Sequence, residues 1–206
     1  MSENGEAGKT EKTGNIKLVI FDLDGVLIDS RDLWYLAWKD AFKSAGKCLS
    51  YDEFIKDCWG MPFPQTSREK GITGDRFEKA SEVIVKSFIS RVDRVKVFDG
   101  VFDVMAALDK IGIKKALLTN NMKPVIDTIM NKFNMKFDTI PQLEKLKNKP
   151  DPAGIYVVLE ELGVKKEEAI FVGDTWVDNE TGKNAGIRTI LVGRDIKNVS
   201  EVLEQI

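Results

Sequence analysis

The chain has 206 residues, 43% of them hydrophobic, with 31 Lys and Arg against 33 Asp and Glu. That is enough apolar material for one large domain, or for a core domain carrying an insertion, and it excludes a disordered composition. The scattered basic residues give no field for nucleic acid, no run is apolar enough to cross a bilayer, and histidine is absent, which leaves carboxylates, hydroxyls, amides and lysines to do any chemistry.

Residues 1–15 are polar, lack the apolar core of a signal peptide, and are expected to form a loose tail. Ile16–Phe21 is a short apolar run of the kind a parallel strand shows when both its faces are covered. Residues 31–97 then break into helical stretches without a good strand. Phe77, Ala80, Ile84 and Phe88 recur there near the helical period. This segment reads as a small all-helical layer inserted after the first strand, hinged near Ser30 and near 98–100. Ile113–Thr119 is the next strand, Lys136–Ile140 a weaker third, and Ala169–Gly173 and Arg188–Gly193 complete five. Between them, Asp151 and Pro152 open a helix whose apolar stripe is Ile155, Val158, Leu159 and Leu162, ending at Gly163. Alternating strands and helices predict an α/β core with a mostly parallel sheet and helices on both faces, over residues 16–30 and 98–206. Cys48 and Cys58 form neither a metal pattern nor a disulfide framework; buried or idle thiols fit a cytoplasmic location.

In a parallel sheet all strand carboxyl ends share one edge, and polar clusters fall at those ends. Asp22 and Asp24 follow the first strand, Thr119, Asn120 and Asn121 the second, and the run Gly173–Asn179 a later one, with Lys149 just before the helix opened by Pro152. Carboxylates gathered this way need a cation, and oxygen-only ligands suit Mg²⁺. Mg²⁺, hydroxyl, amides, lysine and helix starts suit a phosphoryl group, which one carboxylate can attack as nucleophile while a second acts as acid and then base. Taken singly, Asp22 and Asp24 also fit a strand-end turn, Asn121 a helix cap, Asp178 an acid near a helix dipole, and Lys145 and Lys147 compete with Lys149. Trp34 and Trp38, one helical turn apart, read as packing inside the helical insertion.

The runs DLDGVLIDS, LLTNN, KPDP and VGDTWVDNETGKNAGI, in this order, resemble the four motifs of the haloacid dehalogenase-like hydrolases, in the branch of phosphoglycolate phosphatase and β-phosphoglucomutase. The resemblance implies a Rossmann-like core with a helical cap over residues 31–97. It implies Asp22 as nucleophile, Asp24 as acid/base, and Thr119, Asn120 and Lys149 as phosphate-binding groups. It implies Mg²⁺ held by Asp22, Asp24 through its carbonyl, and Asp174, with Asp178 nearby. Trp59 and Gly60 match the cap loop that faces the site and are candidate substrate contacts. The implied activity is a Mg²⁺-dependent phosphatase acting on a small phosphorylated metabolite, phosphoglycolate- or sugar-phosphate-like, with no nucleic-acid or membrane partner. A sugar phosphomutase is the rival within the family; the missing histidine after the first motif favours hydrolysis. A phospho-accepting receiver module is the rival outside it, and receivers lack an insertion after the first strand.

Overall fold

The computed structural model describes residues 15–142 and 145–206; the expected tail lies, but for Asn15, outside them. The described elements are β1 (Leu18–Phe21), β2 (Ile28–Asp29), α1 (Arg31–Ser44), α2 (Tyr51–Asp57), α3 (Phe63–Glu69) and α4 (Asp75–Ile89). There follow β3 (Lys96–Val97), α5 (Val101–Lys110), β4 (Lys114–Leu117), α6 (Lys123–Phe133), α7 (Ala153–Leu162), β5 (Ala169–Gly173), α8 (Trp176–Ala185) and β6 (Arg188–Leu191).

The main sheet runs β4-β1-β5-β6 with every pair parallel. Each residue of β1 is buried because the sheet is covered twice. Leu18 and Ile20 face one way, onto Ile155 and Val158 of α7 with Phe171 of β5. Val19 and Phe21 face the other way, into a larger cluster with Val104 and Leu108 of α5 and Val125 and Ile129 of α6. The apolar run at 136–140 does not make a fifth strand: it contributes one bridge, Thr139 to Ala116, on the outer edge of β4.

Helices α1–α4 lie between β2 and β3, which pair as a two-residue antiparallel ribbon through Ile28–Val97 and Asp29–Lys96. The ribbon ties together the entry to and exit from the helical layer, and its second strand, β3, falls within residues 31–97, a stretch expected to hold no good strand. Inside the layer Ala80, Ile84 and Phe88 are fully buried, and the Trp34 ring lies 4.2 Å from that of Phe88. Helix α3 forms in a stretch that carries both Pro62 and Pro64. Pro64 falls in its first turn, where a missing N–H costs the helix nothing. Cys58 is buried and Cys48 is exposed. The helical layer and one face of the sheet belong to one continuous apolar cluster.

Candidate active site

The carboxyl ends of β1, β4 and β5 bring Asp22, Asp24, Thr119 and Asp174 to one cavity, and the residues before α7 bring Lys149 to it. Asp22 follows β1 directly, its N–H bonded to the Val172 carbonyl of β5, so its backbone is still held by the sheet. It is 5% exposed and Lys149 3%. The Lys149 ammonium lies 2.9 Å from Asp22 Oδ1 and 2.6 Å from Asp178 Oδ1.

Asp178 is fully buried. Its Oδ2 accepts from the backbone N–H groups of Asp174 (3.2 Å) and Thr175 (3.0 Å) and from the Thr175 hydroxyl (2.7 Å). Both its oxygens are thus engaged in fixing Lys149 and the start of α8. The space is tight: a Cβ on Gly173 would stand 2.2 Å from the Asp178 Cβ. Gly25, at φ +75°, lets the chain pass under Asp174, where a Cβ would stand 2.1 Å from Asp174 Oδ2.

Asp24 is held by three donors. Its Oδ1 accepts from the Ser30 hydroxyl and, at 2.8 Å, from the indole N–H of Trp34, and its Oδ2 accepts from the Asn121 amide at 2.6 Å. None of the three was singled out from sequence for this role. Asn121 reads there as a helix cap, but α6 starts two residues later and the amide turns to Asp24 instead. Trp34 packs in the helical layer as expected and also reaches the site; the signal was available, because a buried indole N–H needs an acceptor.

Asn120 braces the site: its amide nitrogen donates to the carbonyls of Gly60 (3.0 Å) and Lys149 (3.2 Å), and its oxygen accepts the Lys149 N–H (2.9 Å). Thr119, 4% exposed, lines the cavity and accepts from the Asn121 N–H at 3.3 Å. Trp59 and Gly60 line the cavity from the helical layer, and the Trp59 indole donates to Asp174 Oδ2 at 3.1 Å.

Burial drives the electrostatics. It pushes the Asp22 carboxyl well above the usual range; Lys149 opposes this, and Asp178, Asp174 and Asp24 add to it. Asp24 is raised by burial, against its three hydrogen bonds. Asp174 is pushed up to about 7 by burial and by Asp178. Burial works against the Lys149 ammonium, but Asp178 and Asp22 outweigh it and hold the amine charged. Four carboxylates against one lysine leave the site short of positive charge. One carboxylate oxygen of each of Asp22, Asp174 and Asp178 lies within 4.8 Å of the others. Asp174 Oδ1 is buried without a hydrogen-bond partner. An unpaired buried oxygen among carboxylates fits a hard divalent cation.

A family model described as haloacid dehalogenase-like hydrolase matches residues 19–192, and the chain belongs to that family. It is 32% identical over 188 residues to pyrophosphatase PpaX of Halalkalibacterium halodurans, covering 88% of this chain and 86% of that one. It is 26% identical over 205 residues to phosphoglycolate phosphatase of Pseudomonas savastanoi pv. phaseolicola, covering 92% and 74%. Among solved structures, a Lactobacillus plantarum protein superimposes with a TM-score of 0.83 at 21% identity, covering 94% of this chain and 100% of that one. At that identity the likeness establishes the fold.

Proposed function

We propose that the chain is a Mg²⁺-dependent phosphatase that hydrolyses a small phosphate monoester through an aspartyl-phosphate on Asp22. One observation carries this reading: a buried carboxylate sits 2.9 Å from a buried lysine, with a second, separately held carboxylate two residues along the chain, on one cavity. Named relatives that are phosphatases support the reaction class.

Asp22, Asp174 and the Asp24 carbonyl would hold the metal, with Asp178 fixing Lys149 behind them. A bound Mg²⁺ would supply positive charge that offsets the carboxylates and the phosphoryl oxygens. Lys149 and Thr119 take the remaining phosphoryl oxygens. Asp22 attacks phosphorus as the ester P–O bond breaks, and protonated Asp24 gives its proton to the leaving alkoxide. Asp24 then takes a proton from a water that attacks the aspartyl-phosphate, releasing inorganic phosphate and restoring Asp22. The helical cap keeps bulk water out during transfer.

The test is phosphate release from a panel of small esters with Mg²⁺ or with EDTA, for the native chain and for Asp22→Asn. Metal-dependent turnover, lost by at least about a thousandfold in Asp22→Asn, is the expected result. Release that persists in the variant removes Asp22 as nucleophile. Stoichiometric labelling by acetyl phosphate without turnover would favour the receiver reading.

A further inference from the structure

The cavity has two unlike halves. Its floor, from the strand ends, carries Asp22, Asp24, Asp174 and Lys149. Its roof, from the helical layer, is Trp34, Trp38, Trp59, Met61, Phe63 and Ile84, with the backbone of Gly60 and the Cys58 thiol between them. Burial pushes that thiol up to about 12, so it stays uncharged. The cavity volume is about 40 Å³.

Four indole and amide donors around it are already engaged. The Trp34 and Trp59 indoles serve Asp24 and Asp174, the Asn121 amide serves Asp24, and the Asn120 amide bridges the Gly60 and Lys149 carbonyls. Lys149 is the one cation among the described residues that line the cavity, and it is shared by Asp22 and Asp178. Arg31 stacks on the Trp59 ring, 5.2 Å from its centroid, and is not among the lining residues. A phosphoryl group on the floor therefore leaves its ester portion against an apolar, uncharged surface. A second anionic group placed there would lose its water and meet no counter-charge.

We propose that the substrate is the phosphate monoester of a small, uncharged alcohol, selected by the aromatic roof, and that esters bearing a second anionic group are rejected. This rests on the phosphatase reading and sharpens it. It also separates this chain from relatives named for pyrophosphate and phosphoglycolate, both of which carry a second negative group.

A matched pair tests it: 2-phosphoglycolate against its uncharged amide, close in size and leaving group and different in charge, with pyrophosphate and p-nitrophenyl phosphate alongside. The expected kcat/KM for the amide exceeds that for phosphoglycolate and for pyrophosphate at least tenfold. Met61→Lys, which puts a cation into the roof, should narrow the amide-to-phosphoglycolate ratio. Equal or better turnover of phosphoglycolate or pyrophosphate by the native chain, with p-nitrophenyl phosphate also cleaved and Asp22→Asn dead, overturns the proposal and leaves the phosphatase reading standing. Failure to turn over any ester, p-nitrophenyl phosphate included, overturns both.

Discussion

Asp24 takes three hydrogen bonds from three directions: the hinge through Ser30, the core through Asn121 and the helical layer through Trp34. An acid that must deliver a proton along one line gains from being held on that line. The Trp34 bond matters most for coupling, because it makes the orientation of a core carboxylate depend on the seating of the layer above. Trp34→Phe keeps an aromatic ring against Phe88 and removes the indole N–H, together with part of the ring's volume. A lost hydrogen bond to a charged or proton-sharing group costs about 1.5–3 kcal/mol, so kcat for alkyl phosphates should fall by roughly ten- to a hundredfold. p-Nitrophenyl phosphate, whose leaving group departs without a proton, should lose less than about threefold. A merely structural defect would slow both esters alike, so equal losses would remove Trp34 as a positioning residue.

At the scale of elements, what the sequence displayed depended on how strongly burial imprinted it. The four sheet strands are legible because two-sided burial leaves apolar runs such as Leu18–Phe21 and Ala169–Gly173, and the ends of α7 because Asp151, Pro152 and Gly163 punctuate it. The Asp151 carboxylate accepts the Ala153 N–H at 3.0 Å, and Gly163 closes the helix in the left-handed region. Lys136–Ile140 carries a similar apolar signal, but Phe137 and Ile140 are only partly buried and pairing stops at one bridge. Helix α3 was hidden by Pro62 and Pro64, and the β2–β3 ribbon by having two residues a side. The convergence of the acidic and basic groups follows from parallel topology alone, whereas the hydrogen bonds of Trp34, Trp59 and Asn120 cross between layers and leave no local pattern. Helix α2 offers a local test. Ser50 Oγ accepts the Glu53 N–H at 3.2 Å and Glu53 Oε2 accepts the Ser50 N–H at 2.9 Å. Ser50→Ala should cost about 1 kcal/mol and lower Tm by roughly 2–4 °C, with phosphate release unchanged. A scanning calorimetry trace showing no shift would mean the box adds nothing to the cap.

The whole molecule carries near-balanced charge, yet it concentrates Asp22, Asp24, Asp174 and Asp178 around one lysine at the junction of its two layers. Folding therefore works against ionisation at this place, and the sign of the effect is fixed. Asp174 moves from an ordinary 3.8 to about 7 on burial, and Asp22 is raised in the same direction. Their protonated forms are favoured by the fold, so that contribution is complete below about pH 4 and is lost as pH rises through 7. A divalent cation on these carboxylates replaces the missing protons, and it binds the folded chain far better than an unfolded one. With EDTA present, this contribution should lower Tm between pH 5 and pH 8. Mg²⁺ should raise Tm at both values and clearly more at pH 8, where the carboxylates are ionised and the cation has no proton to displace. Asp174→Asn should remove most of the pH dependence of the Mg²⁺ shift, since an amide neither titrates nor offers a charge. A Mg²⁺ shift as large at pH 5 as at pH 8, or one unchanged in Asp174→Asn, would place the cation somewhere other than this carboxylate cluster.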